Sequence, residues 1–78
     1  MKHLTMFYPA YVDFRALDGS YGFQFTNVLS IEYDNLNLQL TLKDGTKRNI
    51  CFLSVSYVGV GNMQDLDLGI HLPETLYL

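Results

Sequence analysis

The sequence predicts a small all-β domain, an antiparallel meander of roughly four to six strands curled into a partly open barrel or bent sheet. Residues 36–43 alternate strictly between apolar and polar side chains, and turn-forming dipeptides separate the apolar runs. The 78 residues are 49% hydrophobic, enough for one domain with one core. The alternative is a β-rich α+β domain in which a short helix near residues 62–68 lies across the sheet.

The stretch from residue 29 to residue 52 sets the strand register. Asp34 and Asn35 separate two alternating runs, and both residue types tolerate the positive φ of a two-residue turn. Such a turn places six apolar residues on one face, in the pairs Leu29–Leu40, Ile31–Leu38 and Tyr33–Leu36.

A second turn at residues 43–45 is predicted to be a three-residue loop with Gly45 in the left-handed region. This loop pairs Leu38 with Ile50, and it keeps apolar residues opposite apolar residues. A two-residue Asp-Gly turn would slip the register by one residue and reverse the faces of the strand. The favoured register places Arg48 opposite Leu40, which is tolerable only at an open edge.

The N-terminal half predicts a first strand over residues 2–8, ended by Pro9, and a hairpin that turns at Asp18-Gly19. The hairpin pairs residues 11–17 with 20–25. The apolar face then continues through odd-numbered positions to residue 33, so the pattern predicts one long strand with a bend or bulge near residues 26–28.

After Phe52 the apolar positions change side, which indicates either a bulge near Leu53 or a strand covered on both faces. Residues 59–62 predict a flexible break, followed by one helical turn over 63–68 with Asn62 as its cap. Residues 69–72 are a candidate closing strand, and an irregular end begins at Pro73.

The negative charge of the chain is concentrated at one end. Residues 62–78 contain three acids (Asp65, Asp67 and Glu74) and no lysine or arginine, whereas acids and bases balance over residues 1–61. This segment would suit docking on a basic partner, although a solvated acidic surface is the simpler interpretation.

Several tyrosines lie outside the predicted core pattern, and tyrosine is enriched in protein interfaces. They are Tyr8, Tyr11, Tyr57 and Tyr77, of which Tyr57 and Tyr77 join the acids as predicted partner-binding residues. The alternative is that these rings cover the rim of the core. Lys43, Lys47 and Arg48 cluster at the second hairpin and form the alternative, nucleic-acid-binding site.

No catalytic, cofactor-binding or metal site is predicted. Cys51 has no histidine near it in sequence to serve as a base. Asp65, Asp67 and His71 form a loose acidic cluster without the spacing of a metal site. With one cysteine, no convincing signal peptide and no long apolar run, we expect a cytoplasmic protein.

The C-terminal sequence LPETLY, residues 72–77, resembles the closing motif of a group of small bacterial domains of unknown function. Their glycine-tryptophan strand is absent here, so the resemblance implies no activity. The overall profile is tiny, acidic, β-rich and without a catalytic set. In type it resembles phage-encoded inhibitors of bacterial defence systems, anti-CRISPR proteins among them.

These observations favour a non-enzymatic protein-binding module that occludes a basic, nucleic-acid-handling partner, as a phage- or mobile-element-encoded inhibitor would. Two alternatives remain open. One is a small nucleic-acid-binding barrel that uses the basic hairpin, and the other is a structural homodimer formed through an open sheet edge.

Overall fold

The structure, a computed structural model, describes residues 2–76, which form one antiparallel sheet and one short helix. The elements are β1 (Lys2–Ala16), β2 (Gly22–Tyr33), β3 (Asn37–Leu42), β4 (Lys47–Cys51), a 3-10 turn (Phe52–Ser54), β5 (Val55–Asn62), α1 (Met63–Asp67) and β6 (Glu74–Thr75). The strand order is β4-β3-β2-β1-β5-β6. The predicted four-strand meander and the short helix are confirmed, and the sheet is bent rather than closed into a barrel.

One face of the sheet buries a single apolar cluster. Leu38 and Leu40 of β3 share this cluster with Val55 and Val58 of β5, although β2 and β1 lie between these strands. The sheet must therefore bend, so that its concave face covers itself. Helix α1 contributes no buried residue, so it does not close the core as the α+β alternative required.

The β3–β4 hairpin confirms its predicted loop and register. Gly45 has a φ of 88°, and the backbone N–H of Leu42 donates to the Thr46 carbonyl across a three-residue loop. Leu38 lies opposite Ile50, and Leu40 lies opposite Arg48. Because β4 is the edge strand, the Arg48 side chain reaches solvent beside the core.

The predicted register between β2 and β3 is wrong by two residues. Ile31 pairs with Leu40 and Tyr33 with Leu38, so Leu36 lies in the connecting loop and is 54% exposed. The Asp34 carboxylate explains the longer loop, because its Oδ1 accepts hydrogen bonds of 2.8 Å from the backbone N–H groups of Leu36 and Asn37. These bonds stabilise a wider turn than the two-residue one.

The long bent strand is confirmed as β2, with its bulge at the predicted place. Asn27 has a φ of 57°, and two residues of β2 oppose one of β1 between the pairs Ala10–Val28 and Val12–Phe25. The bulge switches the faces of the strand. Val28 is therefore buried, whereas Leu29 is exposed, contrary to the prediction that Leu29 joins the core face.

The C-terminal third departs most from the sequence prediction. The 3-10 turn at Phe52–Ser54 supplies the expected change of register. However, residues 59–62 belong to β5 rather than to a flexible break, and residues 69–72 form no strand. The last strand is instead Glu74–Thr75, paired with β5.

Candidate protein-binding surface

A wide bulge in β1 creates an exposed apolar surface. Thr5 pairs with Ser30 and Ala10 with Val28, so four residues of β1 oppose one residue of β2. The bulge leaves Phe7 100% exposed and Tyr8 64% exposed. Pro9 therefore lies in the bulge and does not end the strand as predicted, which fits its lack of a backbone N–H donor.

The same part of β1 has an open side. Strand β5 pairs with β1 only from Ala10, which lies opposite Asn62, and the chain then turns into α1. The Asn62 side chain caps this helix by accepting a 2.8 Å hydrogen bond from the Gln64 backbone N–H. Within the described part of the chain, residues 2–5 thus pair with β2 on one side, residues 6–9 form the bulge, and no strand pairs with residues 2–9 on the other side.

Two predicted acidic residues flank this open side. Asp65 of α1 and Glu74 of β6 line a groove of about 460 Å³ together with the bulge and with Leu72, which is 80% exposed. We call it the bulge groove; its lining residues are Leu4, Thr5, Met6, Phe7, Tyr8, Ala10, Val60, Gly61, Asn62, Asp65, Leu72 and Glu74. Neither lysine nor arginine is among them.

The predicted partner-binding residues do not form one site. Asp65 and Glu74 come together, whereas Asp67 is exposed on α1 without lining the bulge groove. Tyr57 lines a different groove, and Tyr77 lies outside the described residues. The prediction that Tyr11 lies outside the core is wrong, because its side chain is only 1% exposed.

Phe7 and Leu72 were missed by the sequence analysis. Leu72 was expected in a strand, and Phe7 was placed on one face of a regular strand that Pro9 ended. The available signal was Pro9 itself, since a proline between two alternating runs is also typical of a bulge.

A second groove, of about 750 Å³, is built around Asp13 and His71. The Asp13 Oδ2 lies 2.6 Å from the His71 Nε2, and the Asp13 Oδ1 accepts a 2.8 Å hydrogen bond from the Gln24 side-chain amide. Tyr57 and Arg15 complete its polar lining. We call it the histidine groove.

Contacts of His71 with Asp13 and Tyr11 hold the C-terminal segment against the sheet. The His71 ring stacks on the Tyr11 ring with centroids 5.3 Å apart. Burial raises the pKa of the Tyr11 phenol, and the negative charge of Asp13 adds to this shift, so the phenol stays neutral. No serine, threonine or cysteine lines the groove as the structure describes it. Its geometry suits a structural latch.

The basic residues of the alternative site lie together. Lys43, Lys47 and Arg48 are all exposed on the β3–β4 hairpin. That hairpin, residues 37–51, contains no aromatic residue on which a base could stack. Two of the three bases lie on the edge strand, where charged side chains also discourage pairing with another chain.

Over residues 2–76, no group of three or more His, Cys, Asp or Glu side chains is arranged to hold a metal ion. The helical part of the described chain includes no segment of the length and apolarity that a membrane crossing requires. Comparisons with models of protein families, with curated proteins and with solved structures found no match.

Proposed function

We propose that this chain is a non-enzymatic protein-binding module that engages a basic surface of its partner through the bulge groove. The observation that carries the proposal is the fully exposed Phe7 beside Asp65 and Glu74, in a groove that no described lysine or arginine lines. An inhibitor that occludes a nucleic-acid-handling protein would use such a surface, because basic residues that hold phosphates would instead meet these carboxylates.

The apolar residues would supply affinity, and the acids would supply orientation. Phe7 and Leu72 contribute little to the core of the described chain because they are exposed, so their burial by a partner is a net gain. Burying one such side chain contributes roughly 2 kcal/mol. Carboxylates at the rim of an interface steer the approach of a basic partner and exclude acidic ones.

The proposal is tested by affinity capture from host-cell lysate, with and without nuclease treatment, read by quantitative mass spectrometry. Three baits are compared: the natural chain, the double variant Asp65→Lys/Glu74→Lys, and the control Asp67→Lys. Asp67 is exposed on the same helix as Asp65 but lies outside the bulge groove, so the control changes charge without changing the site.

We expect the natural chain and the Asp67→Lys control to retain a basic protein that the double variant loses at least tenfold, a difference of about 1.4 kcal/mol. Two results would overturn the proposal. One is a set of captured proteins that the double variant leaves unchanged, and the other is a partner that disappears on nuclease treatment. The second result would favour a nucleic-acid-mediated contact through the basic hairpin.

A further inference from the structure

We propose that the partner binds by strand addition: an extended segment with alternating basic and apolar residues pairs with the open side of β1 at residues 2–9. This inference rests on the proposed function and specifies how the bulge groove holds its partner. It also names the chemistry of the segment, which the acidic charge of the groove alone does not.

Residues 2–9 of β1 have one side on which no described strand pairs with the backbone. Strand β5 stops pairing with β1 at Ala10, where the chain enters α1, which contacts β1 and contributes Asp65 to the groove. Strand β1 therefore extends beyond its neighbouring strand by eight residues. The unpaired side of a strand presents a row of backbone N–H and C=O groups, which can form a ladder with an added strand. On its other side, β1 is already held in place by four pairs from Lys2–Tyr33 to Thr5–Ser30.

Apart from Lys2 at its start, the open stretch of β1 has no lysine or arginine to protect it. Residues 4–10 contain no charged side chain, whereas the edge strand β4 carries Lys47 and Arg48. Natural sheets usually keep foreign strands from their edges with charges, bulges or proline. Here the bulge and Pro9 limit the length of an added strand without closing the edge, so we expect a short partner segment of roughly five or six residues.

The lining of the bulge groove combines apolar and acidic side chains. Side chains of an added strand point alternately to its two faces, so every second residue faces the same surroundings. Phe7, Leu4 and Leu72 offer apolar contacts, while Asp65 and Glu74 offer carboxylates to Lys or Arg. An alternating segment satisfies both sets, and an acidic segment would be repelled.

The test uses the full chain and synthetic hexapeptides. The parent peptide is KVKVKV, and its charge control is EVEVEV. Two further peptides carry backbone N-methyl groups on either all the lysines or all the valines. In an added strand, only one of these two sets of N–H groups faces β1. Binding is followed by NMR titration, and protection is followed by amide hydrogen exchange at residues 4–8.

We expect KVKVKV to bind, EVEVEV to bind at least tenfold more weakly, and one N-methylated set to lose at least tenfold in affinity while the other retains the affinity of the parent. Amide exchange within residues 4–8 should slow when the parent peptide binds. An equal effect of the two N-methylated sets, or no binding of KVKVKV, would overturn strand addition.

The outcomes separate this inference from the proposed function. If both N-methylated sets bind like the parent, while Asp65→Lys/Glu74→Lys abolishes binding, the groove recognises basic side chains without pairing its backbone. The proposed function would then stand and strand addition would fail. If capture from the lysate is also insensitive to the double variant, both fail.

Discussion

The two ends of the sheet differ in the side chains that accompany unpaired strand backbone. At one end, β4 is a regular five-residue strand with Lys47 and Arg48 exposed on it. Toward the other end, where β6 is the outermost strand, β1 runs past β5 with a bulge, a proline and a fully exposed Phe7. Positive charges repel an approaching basic strand and would lose their hydration against an apolar one, whereas a bulge only restricts which strand fits. The basic end therefore carries charges that disfavour edge pairing, whereas the acidic end leaves uncharged backbone beside two carboxylates.

The charged residues at the two ends also differ in their arrangement. Arg48 lies opposite Leu40 on the edge strand β4, where a charge is expected to disfavour pairing with another chain. Asp65 and Glu74 lie apart in sequence, on α1 and β6, and converge on one groove. Convergence of residues from different elements is a stronger sign of function than a run of like charges in one hairpin.

The largest effect is expected at the acidic end, from Gly61→Ala. A Cβ at Gly61 would overlap the ring of Tyr11, which is buried and stacked on His71 and therefore cannot move away. Overpacking of this kind lowers the free energy of unfolding by about 2 kcal/mol. The measurement is chemical denaturation followed by circular dichroism.

Gly59→Ala is the matched control for this prediction. Its Cβ would overlap the ring of Tyr57, which is only half-buried and can turn toward solvent. We expect less than half of the loss seen for Gly61→Ala. Equal losses for the two variants would show that the Tyr11 ring is not fixed by His71. That result would contradict the interpretation of the histidine groove as a structural latch.

These glycines also show why the sequence predicted the two ends unequally. The β3–β4 hairpin follows local rules, since alternation and a glycine loop specify its register, and even the exception at Arg48 was anticipated. Residues 59–62 look like a break because glycine weakens strands. Their place in β5 depends on tyrosine rings that cover the glycines, one of them from β1, distant in sequence.

The candidate site was predictable only in part for the same reason. Composition indicated that Asp65 and Glu74 belong to an acidic segment, but their meeting depends on the pairing of β5 with β1 and β6. The exposure of Phe7 depends on the wide bulge between Thr5 and Ala10, whose position the alternation pattern alone does not specify. The two-residue error in the β2–β3 register came from one side chain, Asp34, which hydrogen-bonds to the turn.

A smaller effect is expected at the basic end, from Arg48→Val. Removing the charge places an apolar, β-branched residue on an open edge strand, which favours pairing with a second copy. We expect self-association to strengthen at least tenfold, as measured by size-exclusion chromatography with light scattering. The control Lys43→Val removes the same charge from the loop outside β4. Equal behaviour of the two variants would contradict a protective role for Arg48.

The smallest effect concerns Asp34, which lies in the turn between β2 and β3. Hydrogen bonds from the backbone N–H groups of Leu36 and Asn37 hold the pKa of its carboxyl below the ordinary value of 3.8. Because the folded pKa is the lower one, the carboxylate contributes stability above the unfolded pKa, and this contribution is lost as the pH falls through the folded pKa.

Asp34→Asn keeps one side-chain oxygen acceptor but removes the charge, so it should lower the free energy of unfolding slightly near pH 7. The difference from the natural chain should shrink as the pH falls through the lowered folded-state pKa of Asp34. Denaturant titrations of both proteins at neutral pH and over a series of acidic pH values provide the measurement. A difference that persists unchanged in acid would mean that the turn depends on the shape of the side chain rather than on its charge. The wider β2–β3 loop would then need a different explanation.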